Sequence, residues 1–326
     1  MIKPHERVSA REARRRLLAA AGLLEVRSMR ILLAIDGSPS SVHARDLVTT
    51  LRWPAGTAIT VLMAYQVPAA WFTDAAMAGG WRTGAEDALR DEAVNALADL
   101  AAPLEGHGWT IDRRAILGRA STVIRDTADD VGADLIVIGS RGHGPIQSML
   151  LGSVSAEVTD IADQSVLVVR DGPVASMLVA TDGSDCAGAV PEVIARWQAL
   201  RGIPAVALGV APVDSPAYEL MVALFTHGSA DVARQRKELL AQFRAYAEAL
   251  AARLSEIGMP ANAEVRTGDA ANEIVKAAAE RRADLIVIGS RCLHGMDRLV
   301  LGSVARNVLL HAHASVLIVR PPRAAV

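Results

Sequence analysis

Several absences narrow what this chain can be. Its 326 residues include two cysteines, Cys186 and Cys292, too few for a disulfide framework and suited to a reducing cytoplasm. A formal charge of −2 gives no whole-chain field that would draw it to nucleic acid or an anionic membrane. No apolar run approaches the roughly 20 residues needed to cross a bilayer. Two common nucleotide signatures are also missing. No Walker loop with its Gly-Lys-Ser/Thr ending occurs, and no Gly-x-Gly-x-x-Gly follows a first strand.

What is present is a repeat. Ala133-Asp-Leu-Ile-Val-Ile-Gly-Ser-Arg141 returns unchanged at Ala283 to Arg291, and Leu-Gly-Ser-Val follows at Leu151 to Val154 and again at Leu301 to Val304. Fixed-offset self-similarity of this kind marks a duplicated unit. Asp36-Gly37-Ser38 matches Asp182-Gly183-Ser184 at an offset of 146, whereas Gly118, Gly139 and Gly152 match Gly268, Gly289 and Gly302 at an offset of 150. The extra four residues fall between the second and third strands of the second copy, where a surface connection absorbs them. Half the residues are apolar (51%), enough for two cores of about 145 residues each. The chain is expected to divide into an extension 1–28, a first domain 29–170, a linker 171–176, a second domain 177–320 and a tail 321–326.

Residues 1–28 carry seven Lys/Arg against three Glu. Their apolar run is short, Glu25 interrupts it, and no small-residue cleavage pattern follows, so this is not read as a signal peptide. Met29 stands directly before the first strand and offers a second translation start.

Within each copy, short apolar runs alternate with longer helical patterns. In the first, strands are expected at 31–35, 58–65, 111–117, 135–138 and 166–169, with helices at 40–51, 85–101, 120–130 and 153–162. Strands apolar almost throughout, separated by helices, indicate a parallel sheet covered on both faces. The fold class expected is α/β, two tandem doubly wound domains, with ligands at the carboxyl ends of the strands. Asp36, Gly118 and Gly139 all fall just past such ends. The closing strands, Val166 to Val169 and Val316 to Val319, would be exposed sheet edges unless the two copies pair them about a pseudo-twofold axis.

The loop after the fourth strand carries the chemistry. Gly139 allows a tight exit from the strand, and Gly142 lets backbone approach a ligand with no side chain between. Gly152 and Ser153 stand where a helix begins, with Ser153 as the expected N-cap, and free N–H groups there suit a phosphate. Arg141 and Arg291 are anion partners by chemistry. Asp36 has the chemistry to accept from ribose hydroxyls or to help hold a cation.

Gly-x2-Gly-x9-Gly-Ser, complete here as Gly139, Gly142, Gly152 and Ser153, resembles the nucleotide loop of the universal stress protein family. The Asp36-Gly-Ser ending of the first strand and the Asp134 to Ser140 strand resemble it too, and the likeness extends over 29–320. It implies Rossmann-like domains with five-stranded parallel sheets and, in many members, bound ATP, here expected with Mg²⁺. Asp36, with Gly37 and Ser38, would then lie on the ribose or metal side. Ala64 would meet adenine through its backbone, and Gly118, Gly139, Arg141, Gly142, Gly152, Ser153 and Val154 would line ribose and phosphates. The counterparts in the second copy are Asp182, Gly183, Ser184, Val210, Gly268, Gly289, Arg291, Gly302, Ser303 and Val304.

The second copy departs at Cys292, which replaces the second glycine, so the first copy is expected to bind more tightly. Cys186 lies four residues past Asp182. Two buried small side chains are favoured there over an oxidisable thiol pair. The stretch 67–84, with Trp71, Phe72 and Trp81, is a lid, a protein-docking surface or packing on its own domain, and the sequence leaves these open. The functional expectation is a cytoplasmic, ATP-binding stress-response module. Its competitor is a nucleotide-free adaptor acting through protein contacts. An enzyme is not expected, because no general base or metal cluster accompanies the loop and the Ser-Gly-Gly signature of related pyrophosphatases is absent. Homodimerisation is left open.

Overall fold

The computed structural model describes residues 28–67, 81–142, 151–214, 218, 229–290 and 301–321. Most of the aromatic stretch 67–84, together with Arg291 and Cys292, lies outside the described residues.

Runs such as Leu135-Ile-Val-Ile-Gly139 have no polar side chain and are β-branched at Ile136, Val137 and Ile138, which suits strands buried on both faces. The first half runs β1 (Arg30–Ala34), α1 (Pro39–Thr50), β2 (Ala58–Tyr65), α2 (Trp81–Ala101), β3 (Thr110–Leu117), α3 (Ala120–Asp130), β4 (Leu135–Gly139), α4 (Ser153–Ile161) and β5 (Ser165–Val169). The second half repeats this. Its elements are β6 (Met177–Thr181), α5 (Asp185–Gly188), α6 (Val190–Trp197), β7 (Ala205–Ala211), α7 (Ser229–Glu256), β8 (Ala261–Thr267), α8 (Ala270–Arg281), β9 (Leu285–Gly289), α9 (Ser303–His311) and β10 (Ser315–Val319). Where the first copy has one helix after its first strand, the second has two, α5 and α6, joined at Ala189.

Each half is a five-stranded parallel sheet, and the two fuse into one sheet ordered β3-β2-β1-β4-β5-β10-β9-β6-β7-β8. Alternation along each strand sends side chains to opposite layers. Ile31 and Leu33 join Leu47, Val48, Leu97 and Leu104 on one face. Leu32 and Ala34 join Ile124, Val158 and Val168 on the other.

The seam between halves is the antiparallel pair β5–β10, with Val168 opposite Val316 and Val166 opposite Ile318. Each closing strand thus covers the other's edge. The arginine that follows each strand crosses the seam. Arg170 donates to the carbonyls of Leu309 (2.5 Å) and Ala314 (3.0 Å), and Arg320 donates to those of Thr159 (2.5 Å) and Gln164 (3.1 Å). Each guanidinium therefore caps the C-terminal end of the other half's helix, where orphan carbonyls and the negative end of the dipole favour a cation. Burial brings the pKa of both arginines down to about 10, and the positive charge of Arg141 adds to the effect at Arg170.

The outermost strands, β3 and β8, carry charge instead. Arg114 pairs with Asp112 (2.8 Å) and Asp130 (2.7 Å), and Arg266 with Glu264 (2.8 Å) and Glu280 (2.6 Å). Ionic side chains along an open edge discourage pairing with another chain.

Candidate functional site

The β1–α1 turn is built from Asp36-Gly37-Ser38. Asp36 Oδ1 accepts from the Ser38 backbone N–H at 3.0 Å, a bend that requires the positive φ of Gly37, 80°. Ser38 is then the N-cap of α1, its Oγ accepting from Ser41 N–H at 3.4 Å.

This turn is clamped to the loop that follows β4. Ser38 Oγ donates to the Arg141 carbonyl at 3.1 Å, Ser40 Oγ also bonds that carbonyl, and the Arg141 N–H lies 3.1 Å from Ser40 Oγ. Close backbone approach is what the two loop glycines permit. A Cβ on Gly139 would fall 2.6 Å from the Ser40 carbonyl carbon and from Ser41 N. A Cβ on Gly142 would fall 2.7 Å from Asp36 Oδ2.

Helix α4 closes the arrangement. Gly152 donates its N–H to the Ser140 carbonyl at 2.7 Å and is itself the N-cap, at φ −80° and ψ 158°, with no side-chain cap bond. The expectation that Ser153 caps this helix is corrected, since Ser153 is its first helical residue. A glycine cap puts no side-chain oxygen across the first N–H groups of α4, leaving them to face an anion. Ser155 Oγ donates to the Gly139 carbonyl at 2.7 Å, tying the helix to the end of β4.

Together these parts wall a cavity of about 1000 Å³ at the carboxyl edge of the first half's sheet. Of the residues singled out from sequence, Asp36, Ser38, Ala64, Gly139, Arg141, Gly142, Gly152, Ser153 and Val154 line it. Gly37 and Gly118 do not. Gly37 shapes the turn behind Asp36. Gly118, at φ 149°, donates to the Tyr65 carbonyl at 2.9 Å and holds the end of β3 beside β2. Sequence reasoning missed the apolar side of the wall, Leu62, Ile124 and Ile138, and also Ser40 and Leu310. The first three are ordinary core residues in one dimension, and Leu310 belongs to the other half of the chain.

The second half repeats the frame with different fittings. Asp182 Oδ1 accepts from Ser184 N–H at 2.9 Å, Gly183 has φ 76°, and Ser184 caps α5. Gly268 donates to the Ala211 carbonyl at 3.0 Å, Val210 is buried, and Gly302, not Ser303, is the N-cap of α9, ahead of Val304. A Cβ on Gly289 would sit 3.0 Å from Ala187 N and the Cys186 carbonyl. Arg291 lies outside the described residues. Two differences stand out. Tyr246 of α7 packs on the turn so closely that a Cβ on Gly183 would lie 2.4 Å from its ring, and the offset of 150 places Ala96 at that position in the first half. Cys186 stands where the first half has Ser40. It is fully buried beside Ser290 (Sγ to Oγ 3.9 Å) and disulfide-bonded, which corrects the expectation of two separate buried thiols. Cys292 lies outside the described residues.

A sequence profile of the universal stress protein family matches residues 28–170 and again 174–320. The chain belongs to the universal stress protein family. It is similar over most of its length to a family member from Mycolicibacterium smegmatis, 26% identical over 318 residues, covering 89% of this chain and 97% of that protein. A member from Methanocaldococcus jannaschii is 44% identical over 68 residues, 21% of this chain, and the match spans 40% of that protein's length. Among solved structures, a universal stress protein of Archaeoglobus fulgidus shares the fold, with a TM-score of 0.60 at 19% identity over 91% of this chain and 98% of that one. The family, the duplication and the α/β architecture therefore agree.

Proposed function

We propose that this universal stress protein binds ATP in the cavity of its first half and acts as a nucleotide-responsive regulatory module in the cytoplasm. The observation that carries the reading is the convergence, on one cavity, of the Asp36 turn, the Gly139–Gly142 backbone and the start of α4. The residues fit a nucleotide. Phosphates would face the first N–H groups of α4 and the Arg141–Gly142 backbone, where glycine leaves room. Asp36 would meet the ribose or a cation, and the apolar side by Leu62, Ala64 and Ile138 suits a base. Among the described residues no cluster of three or more His, Cys, Asp or Glu could hold a metal. If Mg²⁺ accompanies the nucleotide, Asp36 is the lining carboxylate that would hold it, and the cation would offset phosphate charge.

No helix of the described residues is long and apolar enough to cross a membrane. The proposed organisation is an extension 1–28, domains 29–170 and 177–320, the linker 171–176 between them and a tail 321–326. In this role the protein binds ATP without turning it over and does not engage nucleic acid. A second site built on Asp182 would bind more weakly, because Tyr246 and the disulfide at Cys186 stiffen the turn that a nucleotide would approach.

The test is the nucleotide released on denaturing purified protein, together with calorimetric titration of ATP and Mg²⁺. Wild type is expected to bind and Gly142→Glu to lose binding, because its carboxylate would meet Asp36 and the phosphates. A wild type that carries none and ignores added ATP would favour the adaptor role through protein contacts.

A further inference from the structure

We infer that the cavity of the first half is a composite site, completed by Leu310 from the second half, so that a nucleotide bound there touches both halves of the chain. The inference rests on the nucleotide reading above.

Leu310 lies in the last turn of α9 and lines the cavity together with Val154 and Ala156 of α4. With Val94 and Leu117 it is one of three large apolar side chains that stay well exposed among the described residues, at 38%. As part of the cavity wall it offers apolar surface that a ligand would cover.

The duplication shows that this is a departure from symmetry. The offset of 150 pairs Leu310 with Asp160 and Ala156 with Arg306. At the mirror-related place, Arg306 grips Asp160 with two bonds, of 3.0 and 2.7 Å. By the same pseudo-twofold relation Leu310 falls opposite Ala156, so the ion pair on one side of the axis answers to two cavity-lining apolar residues on the other. The apolar side borders the first cavity. Had the halves stayed identical, an aspartate would stand where Leu310 is and would repel phosphate.

Ala156 is one turn along from Ser153, so Leu310 stands near the phosphate end of the proposed ligand, not at the base. The seam behind it is stiff, because β5–β10 and the crossed arginines Arg170 and Arg320 hold the halves in one relation. Occupancy of the first site would therefore be transmitted to the second half by direct contact.

The experiment places charge at position 310 in the full chain and measures ATP affinity calorimetrically, at low and at physiological salt. Leu310→Glu is expected to weaken binding about fivefold and Leu310→Lys to strengthen it by a similar factor, both effects shrinking with salt. Gln235→Glu and Gln235→Lys, on the exposed face of α7, make the same changes in net charge away from the cavity and should stay within about twofold of wild type, since distant surface charges are screened. If wild type binds ATP, Gly142→Glu abolishes it, and both Leu310 variants match wild type, the composite site is wrong while the nucleotide reading stands. If wild type does not bind ATP at all, both fall.

Discussion

Single residues at the first site are constrained by how closely two loops approach. A methyl group on Gly139 would overlap main-chain atoms of Ser40 and Ser41 as well as Ser40 Oγ, and the main chain cannot swing aside. Gly139→Ala is expected to destabilise the protein by about 1–3 kcal/mol through overpacking, measured by urea unfolding, and to weaken any ligand held by the loop. Gly108 is the comparison. Its φ is +76° with nothing within 4 Å of a built Cβ, so Gly108→Ala should cost only the left-handed backbone strain, about 1 kcal/mol. Equal effects at the two positions would mean that the loops can separate freely. In the sequence, Gly139 and Gly142 stood out by their spacing. The reason for them, contact with Ser40 and Asp36 about 100 residues earlier, is a property of the folded chain.

Secondary elements are held at the seam by caps drawn from the opposite half. Arg320 is 2% exposed and bonds the Thr159 and Gln164 carbonyls at the end of α4. Arg320→Met should leave those carbonyls without the guanidinium and cost about 1–3 kcal/mol, seen as a lower urea midpoint. The ion pair between Arg306 and Asp160 joins the same helices, but its side chains are 50% and 32% exposed. A double-mutant cycle on it should give a coupling of no more than about 0.5–1 kcal/mol. If the exposed pair proved stronger than the buried cap, the account of the seam would be wrong. Helix positions were legible in sequence because apolar periodicity and glycine punctuation are local. The caps were not, because Arg170 and Arg320 look like ordinary residues trailing a strand.

At the scale of the whole molecule, ten strands form one sheet with apolar layers on both faces that run across the seam. Neither half can unfold without exposing its partner's closing strand. Thermal unfolding is therefore expected to be a single transition, with calorimetric and van't Hoff enthalpies in agreement. Two resolved transitions would show that the halves are independent. Because a ligand that binds only the folded state stabilises it, ATP should raise that one transition temperature in wild type and leave Gly142→Glu unchanged.

Short-range patterns in the chain carry the duplication, the α/β class and the parallel five-stranded halves, and they singled out the glycine and aspartate positions that the fold brings to one cavity. These patterns are a repeat offset, apolar runs of strand length, and Gly-x2-Gly-x9-Gly-Ser. The pairing of the closing strands was legible as well, because two apolar strands would otherwise be left as open edges. Which residues of one half serve the other emerges only in the folded chain. Leu310 lines the first cavity, Arg170 and Arg320 cap helices across the seam, and Tyr246 packs on the second turn. These contacts join positions far apart along the chain. They depend on how side chains pack once β5 and β10 have paired, and no local pattern of residues specifies that packing.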